Sequence, residues 1–260
     1  MSLKISNLSV SYAQHQVLNE LSVEGLESGS FTGLLGPNAA GKSTLFKAVA
    51  GLIKSNAGEL HLNGVNLAKL SRTARAGNVA YLSQQFHTNL ALSVFESVLL
   101  ALKQRSKWRV KQQDLFKVSE ILSTLGIGDL ADKDICELSG GQKQLVAMAR
   151  ILVVDPKVVL LDEPTSALDL HHQLAILDVV RKLTISKGLI TIAALHDVNL
   201  AAKYCDRLIL LNDGKIQVSG PASEVLAMPV LGESYKVLTS LEQTRQGQLY
   251  VDAQLLAKSA

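Results

Sequence analysis

The sequence is poor in cysteine, has no long apolar run and carries no block of like charge. Cys136 and Cys205 are the two thiols, and the first dozen residues (MSLKISNLSVSY) lack the continuous apolar core of a secretory signal. Two free thiols in a cytosolic compartment are therefore expected. No apolar stretch approaches the roughly 18 residues needed to cross a bilayer. The richest, 90–102, is broken by Ser93, Glu96 and Ser97. Any membrane role must come through a partner. Twenty-six basic residues nearly cancel 23 acidic ones, for a formal net charge of +3. A nucleic-acid binder concentrates its basic residues in a stripe. Here the clearest cluster is the short KQRSKWRVK at 103–111, which reads as a solvated helix–loop junction, and no nucleic-acid partner is expected. Internal repeats and low-complexity segments are absent too. What remains is 260 residues, 47% hydrophobic and 19% charged, a globular composition.

Short β-branched runs alternate with helical patterns. Residues 31–35 read as a strand feeding a glycine-rich turn, with a helix over 42–52. Residues 79–83 form another short strand. The runs at 158–161 and 189–195 are almost wholly apolar, as in parallel strands buried on both faces. Strands at 206–212 and 215–219 flank an Asp213-Gly214 hairpin turn. The fold class is α/β, a mixed sheet with its ligand at the strands' carboxyl ends. From 89 to 154 the β signal fades, and helices are expected over 93–104, 111–125 and 140–153, an inserted helical subdomain. The ends, before Phe31 and after Met228, read as mixed strand and helix.

Gly36, Pro37, Asn38, Ala39, Ala40, Gly41, Lys42, Ser43 and Thr44 fit G-x-x-x-x-G-K-[ST] between a strand and a helix. That context makes a phosphate loop. Backbone N–H groups cradle phosphate oxygens, Lys42 reaches the β- and γ-phosphates, and the Ser43 hydroxyl is placed for Mg²⁺. In VVLLDE (158–163), a buried strand ends at Asp162, which can hold the Mg²⁺ hydration shell. Glu163 follows, where a carboxylate can accept a proton from an attacking water or orient it. The stretch LSGGQKQLVAMAR (138–150) is a second glycine-rich helix start, without a lysine. Ser139 and Gln142 have capping-box spacing, and Leu145, Met148, Ala149 and Leu152 share one face. Gly140 and Gly141 are costly in a first turn unless a phosphate approaches its free N–H groups.

With LSGGQ intact at 138–142, the chain resembles the ATP-binding subunit of ATP-binding-cassette (ABC) transporters over nearly its whole length. The resemblance implies a P-loop NTPase (RecA-like) core at 1–88 and 155–230, a helical subdomain carrying the signature at 89–154, and a C-terminal extension at 231–260. Further matches follow in order. Tyr12 matches the aromatic that stacks on adenine, and Gln84 the glutamine that joins core to insert and ligates Mg²⁺; Gln85 is the alternative register. Ser166, Ala167, Leu168 and Asp169 match the loop at the dimer interface, and His196 the switch histidine on the γ-phosphate. The resemblance further implies ATP and Mg²⁺ as cofactors, with Ser43, Gln84 and Asp162 around the metal. It implies a homodimer in which Ser139, Gly140, Gly141 and Gln142 reach the ATP of the opposite copy.

LDLHHQ, AALHDVN and GPASEVL narrow the resemblance to importers of ferric siderophores, with haem and cobalamin importers as close relatives. Transmembrane permease subunits, a substrate-binding protein and a place on the cytoplasmic face of the membrane are implied. His171 and His172 are adjacent on a helix and point about 100° apart, a poor metal pair. Two positions depart from the family. Ala39 stands where the family usually has a glycine or another small residue, and fits with negative φ, or near the left-handed region at modest cost. Leu145 replaces a common arginine.

Overall fold

The computed structural model describes residues 1–84, 91–103, 109–166 and 168–256. Gln85, Ala167, the middle of the basic cluster, the 88/89 junction and residues 257–260 lie outside the described residues.

The chain opens with β1 (Ser2–Tyr12), β2 (His15–Glu27) and β3 (Phe31–Leu35), then α1 (Lys42–Ala50), β4 (Ala57–Leu62), β5 (Val65–Asn66), α2 (Arg72–Asn78) and β6 (Val79–Leu82). Three helices follow: α3 (Val94–Lys103), α4 (Gln112–Thr124) and α5 (Gly140–Leu152). The chain returns through β7 (Val158–Asp162), α6 (Leu170–Ser186), β8 (Ile190–Ala194), α7 (Val198–Tyr204), β9 (Arg207–Asn212) and β10 (Lys215–Pro221). It closes with α8 (Ala222–Leu226), α9 (Val230–Tyr235), β11 (Val237–Gln243) and β12 (Leu249–Leu255).

The central sheet has the order β10-β9-β3-β8-β7-β6. β9, β3, β8, β7 and β6 run parallel, and β10 pairs antiparallel with β9. Every residue of β3, β7 and β8 is buried, which is why 158–161 and 189–195 read as almost wholly apolar runs. A four-stranded antiparallel sheet, β2-β1-β4-β5, covers one side. The described residues before Phe31 are therefore strand and turn, without the helix expected there: the side chains of β1 and β2 alternate in and out, a period of two.

The helices expected over 42–52, 93–104, 111–125 and 140–153 are present, each ending within a turn of its predicted limits. Ser93 and Glu96 cap α3 reciprocally: Glu96 N–H donates to Ser93 Oγ at 3.2 Å and Ser93 N–H to Glu96 Oε2 at 2.9 Å. Buried Lys103 at the end of α3 donates to Asp114 Oδ2 at 2.7 Å, pinning α3 to the first turn of α4. That ion pair, with the Lys111 N–H, holds the Asp114 carboxyl below the usual aspartate range. The helices α3–α5 share one continuous apolar cluster with β7 and α6, through Val98, Ile121, Val146, Val159 and Leu177.

Strand β9 starts one residue later than expected. Asp206 instead turns its carboxylate back, accepting the Phe31 N–H at 2.9 Å and pairing with Arg181.

Candidate nucleotide site

Register brings the predicted residues together. Leu34 of β3 lies beside Ala194 of β8, and Ala194 beside Asp162 of β7, while Leu82 of β6 lies beside Leu161. The carboxyl ends of these neighbouring strands therefore form one rim. Beyond it stand the phosphate loop after β3, His196 after β8, Glu163 after β7 and Gln84 after β6.

Lys42 is buried at the start of α1, and its Nζ donates to the carbonyls of its own loop, Gly36 at 2.6 Å and Pro37 at 3.0 Å. Burial pushes its pKa below the ordinary lysine value, while the Glu163 and Asp162 carboxylates pull it back up. Ala39 takes the left-handed conformation, φ +63°, so the second of the two foreseen geometries holds. Tyr12 is 47% exposed at the end of β1, a ring free to stack rather than a packed strand residue.

Glu163 has φ +53°, left-handed for a residue that has a Cβ. The turn aims its carboxylate back along the rim. Its Oε1 lies 2.5 Å from His196 Nε2, and its Oε2 accepts from Gln84 Nε2 at 2.5 Å. Ser166 holds this turn, donating both its N–H (3.1 Å) and its Oγ–H (3.0 Å) to the Glu163 carbonyl. Asp169 caps α6, accepting the His172 N–H at 2.9 Å. Asp197 caps α7 directly after His196.

Asp162 is 3% exposed. Its Oδ2 accepts the Tyr81 hydroxyl at 2.9 Å, and its Oδ1 is buried without a hydrogen-bond partner. Buried polar oxygens are nearly always bonded. An orphaned carboxylate oxygen near the Ser43 helix start and Gln84 is the donor set that a hydrated hard cation uses, so these residues fit Mg²⁺. Burial, and after it the Asp162 carboxylate, push the Tyr81 hydroxyl pKa well up.

Ser139 and Gln142 do form a capping box. Gln142 N–H donates to Ser139 Oγ at 3.3 Å, and Ser139 N–H donates to Gln142 Oε1 at 3.0 Å. No hydrogen bond or ion pair among the described residues joins 139–142 to the phosphate loop of the same chain. Gly140 is open, and Leu168 would come no nearer than 4.0 Å to a Cβ there. At Gly141 a Cβ would stand 2.4 Å from the His172 ring.

A family model for the ABC transporter matches residues 18–166. The chain belongs to the ABC transporter family. It is 38% identical to the hemin import ATP-binding protein HmuV of Gloeobacter violaceus, over 86% of this chain and 83% of that protein. Against the phosphonates import ATP-binding protein PhnC 2 of a Nostoc strain, identity is 35%, covering 88% and 97%. The petrobactin import ATP-binding protein YclP of Bacillus subtilis is 30% identical over 92% and 95%. Among solved structures, a transporter described as of the metal-chelate type, in an inward-facing conformation, superposes with TM-score 0.83 at 25% identity, covering 99% of this chain and 98% of that one. A dimeric bacterial ABC transporter cassette superposes with TM-score 0.75 at 26% identity, covering 85% and 98%.

In this ABC chain, sequence reasoning missed Tyr81 and His172. Tyr81 carried one usable signal, a hydroxyl at the end of a buried strand next to the one that bears Asp162. It also borders a groove of about 450 Å³ between the sheet and the inserted helices, lined by Leu52, Arg72, Ala101 and Arg150 among others. Arg150 fixes one wall, donating to Ser97 Oγ at 2.5 Å.

Proposed function

We propose that this chain is the ATP-hydrolysing subunit of a bacterial ABC importer, and that two copies enclose two ATP molecules head to tail. The observation that carries the reading is the single rim bearing Lys42, Asp162, Glu163, Gln84 and His196; among the described residues the chain's own signature makes no hydrogen bond or ion pair to it. A closed, two-fold arrangement completes such a site with the partner's matching surface. Each site takes Ser139, Gly140, Gly141 and Gln142 from the opposite copy, with Ser166 to Asp169 at the contact.

Tyr12 stacks on adenine. Lys42 exchanges its loop carbonyls for phosphate oxygens, and the loop amides hold the rest. Ser43, Gln84 and Asp162 would hold Mg²⁺, partly through water, and the ion supplies neutralisation of the charge on the β- and γ-oxygens. Glu163 orients the attacking water and accepts its proton. His196, already paired with Glu163, reaches the γ-phosphate. The core at 1–88 and 155–230, the insert at 89–154 and the extension from 231 are the working parts. The groove beside Leu52 and Arg150 receives a permease segment, since it is open, partly apolar and walled by both core and insert. The chain then sits on the cytoplasmic face of the membrane through that permease, and a substrate-binding protein delivers cargo from the other side.

An iron chelate of the siderophore class is the proposed cargo, with haem or cobalamin as the second reading. The resemblance of LDLHHQ and AALHDVN favours this branch, and the hemin and petrobactin relatives belong with it. The phosphonate relative shows why similarity alone does not choose.

Glu163→Gln tests the enzyme. Removing a general base costs roughly 10²- to 10⁴-fold in rate. The variant should bind ATP, lose turnover by that factor and elute as an ATP-dependent dimer in size-exclusion chromatography. Normal turnover, or a monomer with bound ATP, refutes the assignment. Uptake assays with the cognate permease, comparing ferric chelates, haem and cobalamin, choose the cargo.

A further inference from the structure

The reading above gives no residue of the C-terminal segment beyond α8 a task of its own, yet that segment touches the nucleotide rim at two points. Tyr235, the last residue of α9, accepts the Gly36 N–H on its hydroxyl at 2.9 Å. Gly36 opens the phosphate loop. Its φ is +149°, and a Cβ there would stand 2.0 Å from the Leu211 carbonyl oxygen. The residue is thus held between the β9 backbone and Tyr235. Its own carbonyl is the one that Lys42 Nζ rests on at 2.6 Å. One peptide residue therefore joins Tyr235 to the phosphate-binding lysine.

The second point is on α7, one turn beyond His196. Asn199 Nδ2 donates to the Val251 carbonyl at 3.2 Å, and Val251 N–H donates to Asn199 Oδ1 at 2.8 Å. The amide side chain pairs with β12 as a strand backbone would. Val251 is buried in the main apolar cluster with Leu200, Ala201 and Leu231, so the hairpin is anchored by packing as well as by hydrogen bonds. β3 and β8, which lead to Gly36 and His196, are neighbours in the sheet. One body, α9 with β11 and β12, thus grips the segments after both.

We propose that the segment from Val230 to Leu255 is a positioning clamp on the nucleotide site, with Tyr235 setting the phosphate loop and Asn199 setting the His196 segment. Neither residue touches substrate; both act through the backbone that carries residues which do. The inference rests on the proposed roles of the phosphate loop and His196.

The two contacts make opposite predictions. Tyr235→Phe keeps the ring and removes the acceptor for Gly36. It should raise the Kd of ATP and of ADP by about 3- to 10-fold, the factor a neutral hydrogen bond carries, while kcat at saturating ATP changes far less. Asn199→Ala should lower kcat by a similar factor and leave both Kd values near wild type. Calorimetric titration of the intact chain with each nucleotide, steady-state ATPase and thermal unfolding read these out. A Tyr235→Phe variant whose Tm falls but whose Kd values match wild type overturns the clamp and reduces Tyr235 to packing. Equal shifts of Kd and kcat in both variants overturn the division of labour. Lys42→Ala is the control: if it binds ATP normally, the phosphate-loop reading itself fails, whereas loss of binding there with a silent Tyr235→Phe refutes the clamp alone.

Discussion

The imidazole of His172 lies against the backbone of Gly141, in the space that a side chain on Gly141 would fill. Its Nδ1 is 2.7 Å from Asp169 Oδ1, so the ring is held by the residue that caps its own helix. The helix start at Gly140 is thereby braced against α6, the helix that follows the Glu163 turn. This gives Gly141 a structural reason to be glycine, separate from phosphate approach. Gly140, with no such neighbour, keeps the open face toward solvent.

Gly141→Ala follows directly. The new methyl would stand 2.4 Å from the ring, and His172 or the first turn of α5 must move. Overpacking of this kind costs about 1–3 kcal/mol. Thermal unfolding should show a lowered Tm, and adding His172→Ala should restore most of it. Additive losses in the double variant would show that the two residues do not share the space.

Much of the site was legible because its residues follow strands. Buried parallel strands announce themselves as apolar runs, and the first polar residues after them, Asp162, Glu163 and His196, fall on one rim once the strands pair in register. The cap of α5 was legible for the same local reason, since the capping box of Ser139 and Gln142 is fixed by spacing alone. What was hidden is contact across the sequence. His172 meets Gly141 from 31 positions away, and Tyr235 meets Gly36 from 199 positions away. No periodicity encodes either. Tyr81 was hidden for a milder reason: its ring suits a buried strand, and only the pairing of β6 with β7 brings its hydroxyl to Asp162.

Tyr81→Phe should therefore act on the metal. Without the hydroxyl, Asp162 Oδ2 loses its donor and the carboxylate is free to turn away from the pose that leaves Oδ1 open. ATP affinity without Mg²⁺ should be unchanged, and the Mg²⁺ concentration for half-maximal activation should rise by about tenfold, the factor for one hydrogen bond to a charged group at the low end of its range. Titration of nucleotide binding at varied free Mg²⁺ reads the effect without turnover. Identical Mg²⁺ dependence in variant and wild type would exclude this positioning role.

Leu52 tests the groove. It is 51% exposed and lines the groove with Arg72, Arg150 and Tyr81. Leu52→Glu should leave the ATPase of the isolated chain near wild type, because a surface substitution of this kind is usually worth within about 0.5 kcal/mol. Co-purification with the permease and its stimulation of ATPase should both be lost. Retained complex formation would place the permease elsewhere.

The last prediction concerns pH and follows from Lys42. Burial depresses its pKa in the nucleotide-free chain. Folding therefore releases protons in the alkaline range, and the group's unfavourable contribution to stability, full below the depressed folded pKa, diminishes as pH rises from there toward the unfolded value. Bound phosphates act in the opposite direction, since their negative charge favours the ammonium form and raises the pKa again. Between the free and bound values, ATP binding must take up a proton. Affinity is then level below the free-state pKa and falls as pH rises through it, by up to about tenfold per unit. Calorimetry at successive alkaline pH values up to the ordinary lysine value of about 10.4, in buffers of different ionisation enthalpy, measures the uptake directly. Lys42→Met should abolish it. Proton uptake that persists in Lys42→Met would move its source to another group, and no uptake in the wild type would mean that the lysine is not brought onto phosphate.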